Sequence, residues 1–216
     1  FLTARHALVT LAQLKAGERV LIHAATGGVG QAAIQVARAL GATVLATASA
    51  PKQRWLREHG IEWIFNSRTP DFAAEVLAAT GGRGVEVVLN CLTGDMIRGG
   101  LDCTAPGGRF VEIGKTGVWP AAQVAAYRAD LQYSPFDLAD VARAKPTYIR
   151  QLLDAVAGGL ASGTYHPLST QAFNASDVTG AFRLVSRARH LGKVAIVMPR
   201  LDEAPRTGVH VVTGGF

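Results

Sequence analysis

Short apolar runs alternate with amphipathic segments along most of the chain. The runs predict strands at 19–24, 43–48, 61–65, 85–89, 109–113 and 193–198. Apolar positions at helical spacing predict helices at 4–14, 29–40, 52–59, 72–79, 97–103, 121–128, 145–162 and 175–188. The stretches 131–138 and 166–173 are predicted to be extended. Strands that alternate with helices in this way predict an α/β fold with a doubly wound parallel sheet, of the Rossmann type.

A glycine-rich turn separates the first strand from its helix. It reads Thr26, Gly27, Gly28, Val29 and Gly30. Gly27 and Gly28 allow a sharp turn and close approach of a ligand to the backbone, while Gly30 lets the helix pack tightly on the sheet. Free N–H groups at the helix start would then face a pyrophosphate. The spacing differs from G-x-G-x-x-G, so a plain strand–turn–helix connection without a ligand is the alternative.

Composition and charge argue against several functional classes. The net charge is +6, but the basic residues are scattered and no aromatic side chains are interleaved with them, so we expect no nucleic acid partner. No apolar run approaches the ~20 residues of a membrane helix, so we expect no membrane partner. The two cysteines, Cys91 and Cys103, lack metal-ligand spacing. We therefore expect no metal site and a reducing, cytoplasmic setting.

Four phrases carry a family resemblance. They are HAATGGVG at 23–30, ATGGRGVEVVLN at 79–90, GGRFVEIGKT at 107–116 and ARHLGKV at 188–194. In this order they resemble the enoyl reductase domain of type I modular polyketide synthases, in the medium-chain dehydrogenase/reductase superfamily. The resemblance extends over residues 1–199. It implies NADPH-dependent reduction of the 2,3-double bond of an enoyl thioester carried on an acyl carrier protein, in polyketide or fatty acid assembly.

The resemblance also implies a domain organisation. A complete family member has a GroES-like substrate-binding region before its cofactor domain, and here only 165–199 would return to it. The polar segment 200–206 contains two prolines and predicts a linker. The last ten residues, 207–216, form an apolar run into a glycine turn and resemble the truncated start of a ketoreductase domain. Neighbouring synthase domains and a second copy of the chain, as a homodimer, are the implied protein partners.

The residues that follow the second strand favour NADPH over NADH. An NAD site commonly places an acid there, but Ser49 ends this strand and Lys52 lies one turn later. A hydroxyl and an ammonium can bind a 2′-phosphate that a carboxylate would repel. In the family a further residue joins them, which here corresponds to Ser67 or Arg68. The alternative for Lys52 is a solvated position at a helix start.

Further candidates follow the later strands. Asn90 and Leu92 end a parallel strand, where they are expected to flank the ribose and nicotinamide, although a turn role for Asn90 is a serious alternative. Gly114 would let the nicotinamide approach the backbone. The resemblance places Lys193 near a phosphate or ribose of the cofactor.

Two residues are candidates for catalysis. Lys115 could stabilise enolate charge or deliver a proton, and Asp137 could orient it. The alternative is an ordinary ion pair that holds a loop. For the whole chain, the alternatives are a free-standing NADPH:quinone oxidoreductase and a catalytically silent cofactor-binding or structural fragment.

Overall fold

The main sheet consists of six parallel strands. A computed structural model describes residues 1–199; the predicted linker at 200–206 and the predicted start of a ketoreductase at 207–216 lie outside the described residues. In chain order the strands are β1 (Arg19–Ile22), β2 (Thr43–Ala48), β3 (Trp63–Asn66), β4 (Val85–Asn90), β5 (Thr104–Glu112) and β6 (Gln132–Pro135). Their spatial order is β3-β2-β1-β4-β5-β6. The strand order reverses between β1 and β4, where a doubly wound sheet binds its ligand.

Helices connect and cover the strands. They are α1 (Leu2–Arg5), α2 (Gly28–Ala39), α3 (Ala50–Glu58), α4 (Phe72–Ala79), α5 (Asp95–Asp102), α6 (Ala121–Tyr127), α7 (Leu138–Ala144), α8 (Pro146–Ala161) and α9 (Val178–Ser186). Both faces of the sheet are covered. Val20 and Ile22 belong to a core with α1 and α2, whereas Leu21 belongs to the opposite core with α4 and α5. Side chains that alternate between two buried faces explain why the strands read as continuous apolar runs.

The end of the described chain forms a separate small sheet. Strand β7 (Thr170–Asn174) pairs in parallel with β8 (Lys193–Val197), and α9 lies between them in sequence. This unit is attached to the start of α2. The side-chain oxygen of Gln31 accepts from the amide of Ser169 at 3.0 Å, and the amide of Gly192 donates to the carbonyl of Thr26 at 2.8 Å. The final segment therefore lies directly on the glycine turn.

The structure corrects three local predictions. The extended segment predicted at 131–138 ends at Pro135, and α7 follows because the Asp137 carboxylate accepts from the amide of Ala139 at 2.8 Å and caps that helix. The helix predicted at 4–14 is α1 followed by a π-helical turn at His6–Leu11. The strand predicted at 109–113 begins earlier, at Thr104, and the register of β5 with β4 shifts within this added stretch. In residues 1–199 no helix has the length and apolarity needed to cross a membrane.

Candidate functional site

The glycine turn leaves a row of backbone donors free. Helix α2 begins at Gly28, and no side chain caps it. Within residues 1–199, the amides of Gly28, Val29 and Gly30 have no hydrogen-bond acceptor. A Cβ atom at Gly30 would lie 2.5 Å from the Cα atom of Ala25, so only glycine lets α2 pack this closely. Free amides at a helix start and a backbone that has room only for glycine fit a dinucleotide phosphate.

The final segment of the described chain closes one side of this turn. Gly27 and Gly192 form an isolated parallel β-bridge. The side chain of Lys193 lies over the helix start, since a Cβ atom at Gly28 would be 2.9 Å from its Cδ atom. The structure therefore brings Lys193 to the glycine turn, and its contact with a phosphate or ribose of the cofactor stays a prediction. Its ammonium adds positive charge beside the free amides of α2.

The four residues expected at a 2′-phosphate lie around one cavity. This cavity has a volume of about 180 Å³, and its lining includes Ser49, Lys52, Ser67, Arg68 and Leu92, with no Asp or Glu. Burial lowers the pKa of Lys52, and the nearby charge of Arg68 lowers it further. The ammonium of Lys52 nevertheless has a carbonyl partner. It donates to His190 at 2.7 Å, so Lys52 also fixes the final segment.

A second groove continues from this cavity and shows cations that the sequence did not single out. It has a volume of about 690 Å³ and shares Ser49, Lys52 and Arg68 with the cavity. Arg187 and Arg189 line its far side. The one acid in its lining, Glu58, is paired with Arg54 at 2.7 Å. No sequence signal linked Arg187 and Arg189 to this groove, because the fold brings them there from the segment before β8.

The ends of β4 and β5 are closed rather than open. Asn90 is fully buried; its amide nitrogen donates to Glu112 at 2.5 Å and to the carbonyl of Leu92 at 3.0 Å. Its side-chain oxygen accepts from the amide of Leu92 at 3.2 Å. These bonds favour the turn role that was the alternative for Asn90. The amide of Gly114 donates to the other carboxylate oxygen of Glu112 at 2.6 Å.

Glu112 is the functional candidate that the sequence analysis missed. A signal was present, since an acid inside the apolar run at 110–113 must lie on one of two buried faces. Burial raises the pKa of this carboxyl group, and the hydrogen bonds from Asn90, Gly114 and Ile113 oppose that rise. Burial raises the pKa of Cys91 to about 12, and the charge of Glu112 adds to this rise.

The strand register brings Lys115 and Asp137 together. Glu112 is paired with Pro135 at the ends of β5 and β6. Lys115 follows Glu112 by three positions and Asp137 follows Pro135 by two, so the two side chains lie close together. The Lys115 ammonium forms a salt bridge with the Asp137 carboxylate. The Lys115 side chain is 65% exposed and therefore accessible to a substrate. The hydrogen bond from Lys115 lowers the pKa of Asp137, which keeps that residue anionic.

Comparison with known families identifies the nucleotide-binding part of a dehydrogenase. Residues 28–157, more than half of the chain, match the family described as zinc-binding dehydrogenase. Among residues 1–199, no three His, Cys, Asp or Glu side chains come together in a way that could hold a metal ion. The described residues therefore do not fit a zinc ion, and we derive no step through one. The free amides and the glycine-only packing do fit a nucleotide cofactor.

The relatives found among curated proteins are polyketide synthases. The chain is 43% identical over 218 residues to the spectinabilin polyketide synthase system protein NorB of Streptomyces orinoci, and this match includes all of the chain and 10% of that protein. It is 44% identical over 218 residues to pikromycin polyketide synthase component PikAII of Streptomyces venezuelae, of which it covers 6%. The chain thus spans about a tenth or less of the length of these relatives.

Solved structures agree with this assignment. The CurK enoyl reductase has a TM-score of 0.88 and 47% identity, with 92% of this chain and 60% of that chain covered. The nucleotide-binding subdomain of the enoyl reductase domain of PpsC from Mycobacterium tuberculosis has a TM-score of 0.71 and 41% identity, with 77% of this chain and 94% of that subdomain covered. The chain therefore belongs to the zinc-binding dehydrogenase family of the medium-chain dehydrogenase/reductase superfamily, in the group formed by the enoyl reductase domains of polyketide synthases.

Proposed function

We propose that the chain is the cofactor-binding part of an NADPH-dependent enoyl reductase. Its substrate is an enoyl thioester carried on an acyl carrier protein, and the reaction reduces the 2,3-double bond. One observation carries the choice of NADPH: a cavity without acids, lined by Ser49, Lys52, Ser67 and Arg68, lies at the ends of β2 and β3. A phosphate monoester there would gain charge-assisted hydrogen bonds. The hydroxyl pair of NADH would leave these cations without an anionic partner in the cavity.

In the proposed complex, each half of the cofactor would lie above one half of the carboxyl end of the sheet. In a doubly wound sheet each half binds one mononucleotide, and the pyrophosphate lies at the switch point. The adenosine half would lie above β2 and β3, and the nicotinamide half above β4 and β5. The amides of Gly28, Val29 and Gly30 lie between them and would bind the pyrophosphate. Lys193 would contact a phosphate or ribose from the opposite side.

The exposed ammonium of Lys115 is the candidate group for the chemical step. When bound, NADPH supplies a hydride with its electron pair to the β-carbon of the thioester and is left as NADP⁺. The negative charge that develops on the thioester oxygen would be stabilised by Lys115, or a proton would pass from this ammonium to the α-carbon. Asp137 would hold the ammonium in place and keep it charged. Gly114, whose Cβ position lies 2.8 Å from the Glu112 carboxylate, would present its backbone to the ring.

The setting of this reaction is also part of the proposal. The identity to polyketide synthases supports neighbouring synthase domains, among them a ketoreductase, and an acyl carrier protein as the donor of substrate. The edge position of β6 supports pairing of two copies through that strand. The two free cysteines of the described residues, Cys91 and Cys103, suit the reducing cytoplasm.

A titration of nicotinamide fluorescence with NADPH and with NADH tests the proposal on the chain itself. We expect NADPH to bind at least about tenfold more tightly, since hydrogen bonds to charged groups contribute about 1.5–3 kcal/mol. Equal or absent binding would contradict the 2′-phosphate assignment. We also expect little or no enoyl reduction by this chain alone, because it covers only 60% of the CurK enoyl reductase.

The intact reductase domain separates the proposed reaction from its alternatives. With NADPH it should reduce a crotonyl-type thioester and not a quinone. A solved quinone oxidoreductase of Pseudomonas syringae is 28% identical to this chain with a TM-score of 0.79, so the quinone is a necessary comparison substrate. Reduction of the quinone alone would favour the oxidoreductase alternative. No turnover of either substrate would favour a silent cofactor-binding fragment.

A further inference from the structure

Glu112 is a buried carboxylate without a cationic partner. Its exposure is 1%, and it is the one Asp or Glu among residues 1–199 that is buried. None of the salt bridges found in the described part of the chain includes it. A buried charge without a counter-ion costs several kcal/mol unless hydrogen bonds replace the lost water. The presence of such a group in the core of this sheet edge therefore requires an explanation.

The hydrogen bonds around Glu112 are those of an anion. One carboxylate oxygen accepts from the Asn90 amide at 2.5 Å, and the other accepts from the backbone N–H of Gly114 at 2.6 Å. Both hydrogen bonds favour the ionised form and oppose the rise in pKa that burial of this carboxyl group causes. Burial raises the pKa of the Tyr133 hydroxyl to about 12, and the nearby carboxylate of Glu112 adds to that rise.

The position of Glu112 in the fold indicates which part of a bound nucleotide its charge would affect. Glu112 is the last residue of β5, and Asn90 is the last residue of β4. Both lie in the half of the sheet edge that would bind the nicotinamide nucleotide. Two charged residues that follow β5 and β6, Lys115 and Asp137, are paired with each other. Glu112 has no such partner among the described residues, so it places an unpaired negative charge beneath this half of the edge.

We propose that Glu112 is a positioning residue of the reductase site: its carboxylate joins the ends of β4 and β5 and supplies a fixed negative charge that favours the oxidised nicotinamide nucleotide. This inference rests on the proposed function. The oxidised ring carries one positive charge more than the reduced ring. A preorganised anion in a region of low dielectric constant stabilises that charge, and so makes loss of the hydride more favourable.

The ratio of dissociation constants for NADP⁺ and NADPH measures this effect without turnover. We expect Glu112→Gln to raise the ratio Kd(NADP⁺)/Kd(NADPH) about tenfold to twentyfold, the effect of one charge acting across about 10 Å at an effective dielectric constant of about 20. Isothermal titration of both nucleotides against wild type and variant gives the ratio. An unchanged ratio in a folded Glu112→Gln variant would overturn the proposal, whatever happens to the two affinities together.

Two further variants separate charge from packing. Glu112→Asp keeps the charge but shortens the side chain, so both affinities should fall together while the ratio stays within about twofold of wild type. A shifted ratio in this variant would overturn the charge account even if Glu112→Gln does not fold. Glu86→Gln is the control variant. It removes a carboxylate that pairs with Arg19 at 2.5 Å near the amino ends of β1 and β4, far from Glu112, and should leave the ratio unchanged. Wild type that binds neither nucleotide would contradict the proposed function itself.

Discussion

At the ends of β2 and β3, Lys52 and Arg68 line an open cavity that contains no acid. At the ends of β4 and β5, Asn90 and Glu112 are buried and their polar atoms are bonded within the protein. The two regions belong to one parallel sheet and face the same edge. The first region has cationic groups that can still bind a ligand, whereas nearly all polar atoms of the second are bonded within the protein.

This difference separates two tasks. Long cationic side chains in an open cavity can bind a phosphate whose position varies slightly, because lysine and arginine stems are flexible and their heads stay in water. Hydride transfer needs atoms held within a few tenths of an ångström, which flexible side chains do not provide. A buried network with filled hydrogen bonds does provide that rigidity. Under the proposed function, selectivity for the cofactor and alignment of the reaction would thus depend on different kinds of structure.

The largest effect should come from removing the part that both regions share. We expect Gly30→Ala to lower the free energy of unfolding by about 2 kcal/mol and to abolish NADPH binding, because the new Cβ atom would meet the backbone of Ala25. Thermal unfolding and fluorescence titration measure the two effects. Gly158→Ala in α8 is the matched control: nothing lies within 4 Å of its Cβ position, so stability should rise by up to about 1 kcal/mol.

The next largest effect concerns Lys115, the exposed ammonium near the ends of β4 and β5. In the intact reductase domain, Lys115→Ala should lower kcat about a hundredfold, the usual size of a general acid or charge-stabilising group, while the Kd for NADPH stays within about threefold. Asp137→Asn should lower kcat less, since the ammonium remains. Steady-state kinetics with an enoyl thioester measures kcat for both variants. Nearly normal kcat in both variants would leave Lys115 and Asp137 as an ordinary ion pair.

Removal of the Arg68 charge, at the ends of β2 and β3, should act on one cofactor alone. We expect Arg68→Ala to raise the Kd for NADPH about tenfold to thirtyfold and to leave the Kd for NADH within about twofold, because only NADPH has a 2′-phosphate. Lys52→Ala should add a loss for both cofactors, since it also frees the final segment at His190. Fluorescence titration of the variants gives these values, with the exposed Lys15→Ala as control. An equal loss of affinity for NADPH and NADH in Arg68→Ala would contradict the assignment of the 2′-phosphate to the ends of β2 and β3.

The smallest effect is a pH dependence of stability that comes from His23, which follows β1 between the two regions. Burial lowers the pKa of His23 to about 3 in the folded chain, whereas an unfolded histidine binds a proton near pH 6.5. Acid therefore favours the unfolded state between these pH values, and this contribution to stability is complete above about pH 6.5. We expect His23 to account for a loss of about 1.4 kcal/mol between pH 7.5 and 5.5.

Denaturant unfolding of wild type and His23→Gln at both pH values isolates this contribution. The variant should lose less stability in acid than wild type, by about that amount. The exposed His166→Gln should behave as wild type. A variant with the same acid loss as wild type would show that His23 is not held neutral by the fold.

Much of the sheet could be predicted from local pattern, since the bounds of β2 and α4 in the structure match those expected from the apolar periodicity. The fold class and the glycine turn follow from the same signals. The burial of Glu112 could not be derived locally, because it depends on the pairing of β5 with strands on both sides. The contact of Lys52 with His190 joins residues 138 positions apart, which no local pattern contains. Helix α7 had a signal in Asp137, a common capping residue, but the preceding extended run obscured it.

A crystal structure of the chain with NADP⁺ bound tests the central claim most directly. The account predicts the pyrophosphate at the amides of Gly28, Val29 and Gly30, the 2′-phosphate between Lys52 and Arg68, and the nicotinamide ring above the ends of β4 and β5. A nucleotide bound elsewhere, or a 2′-phosphate that points into solvent away from Lys52 and Arg68, would contradict it.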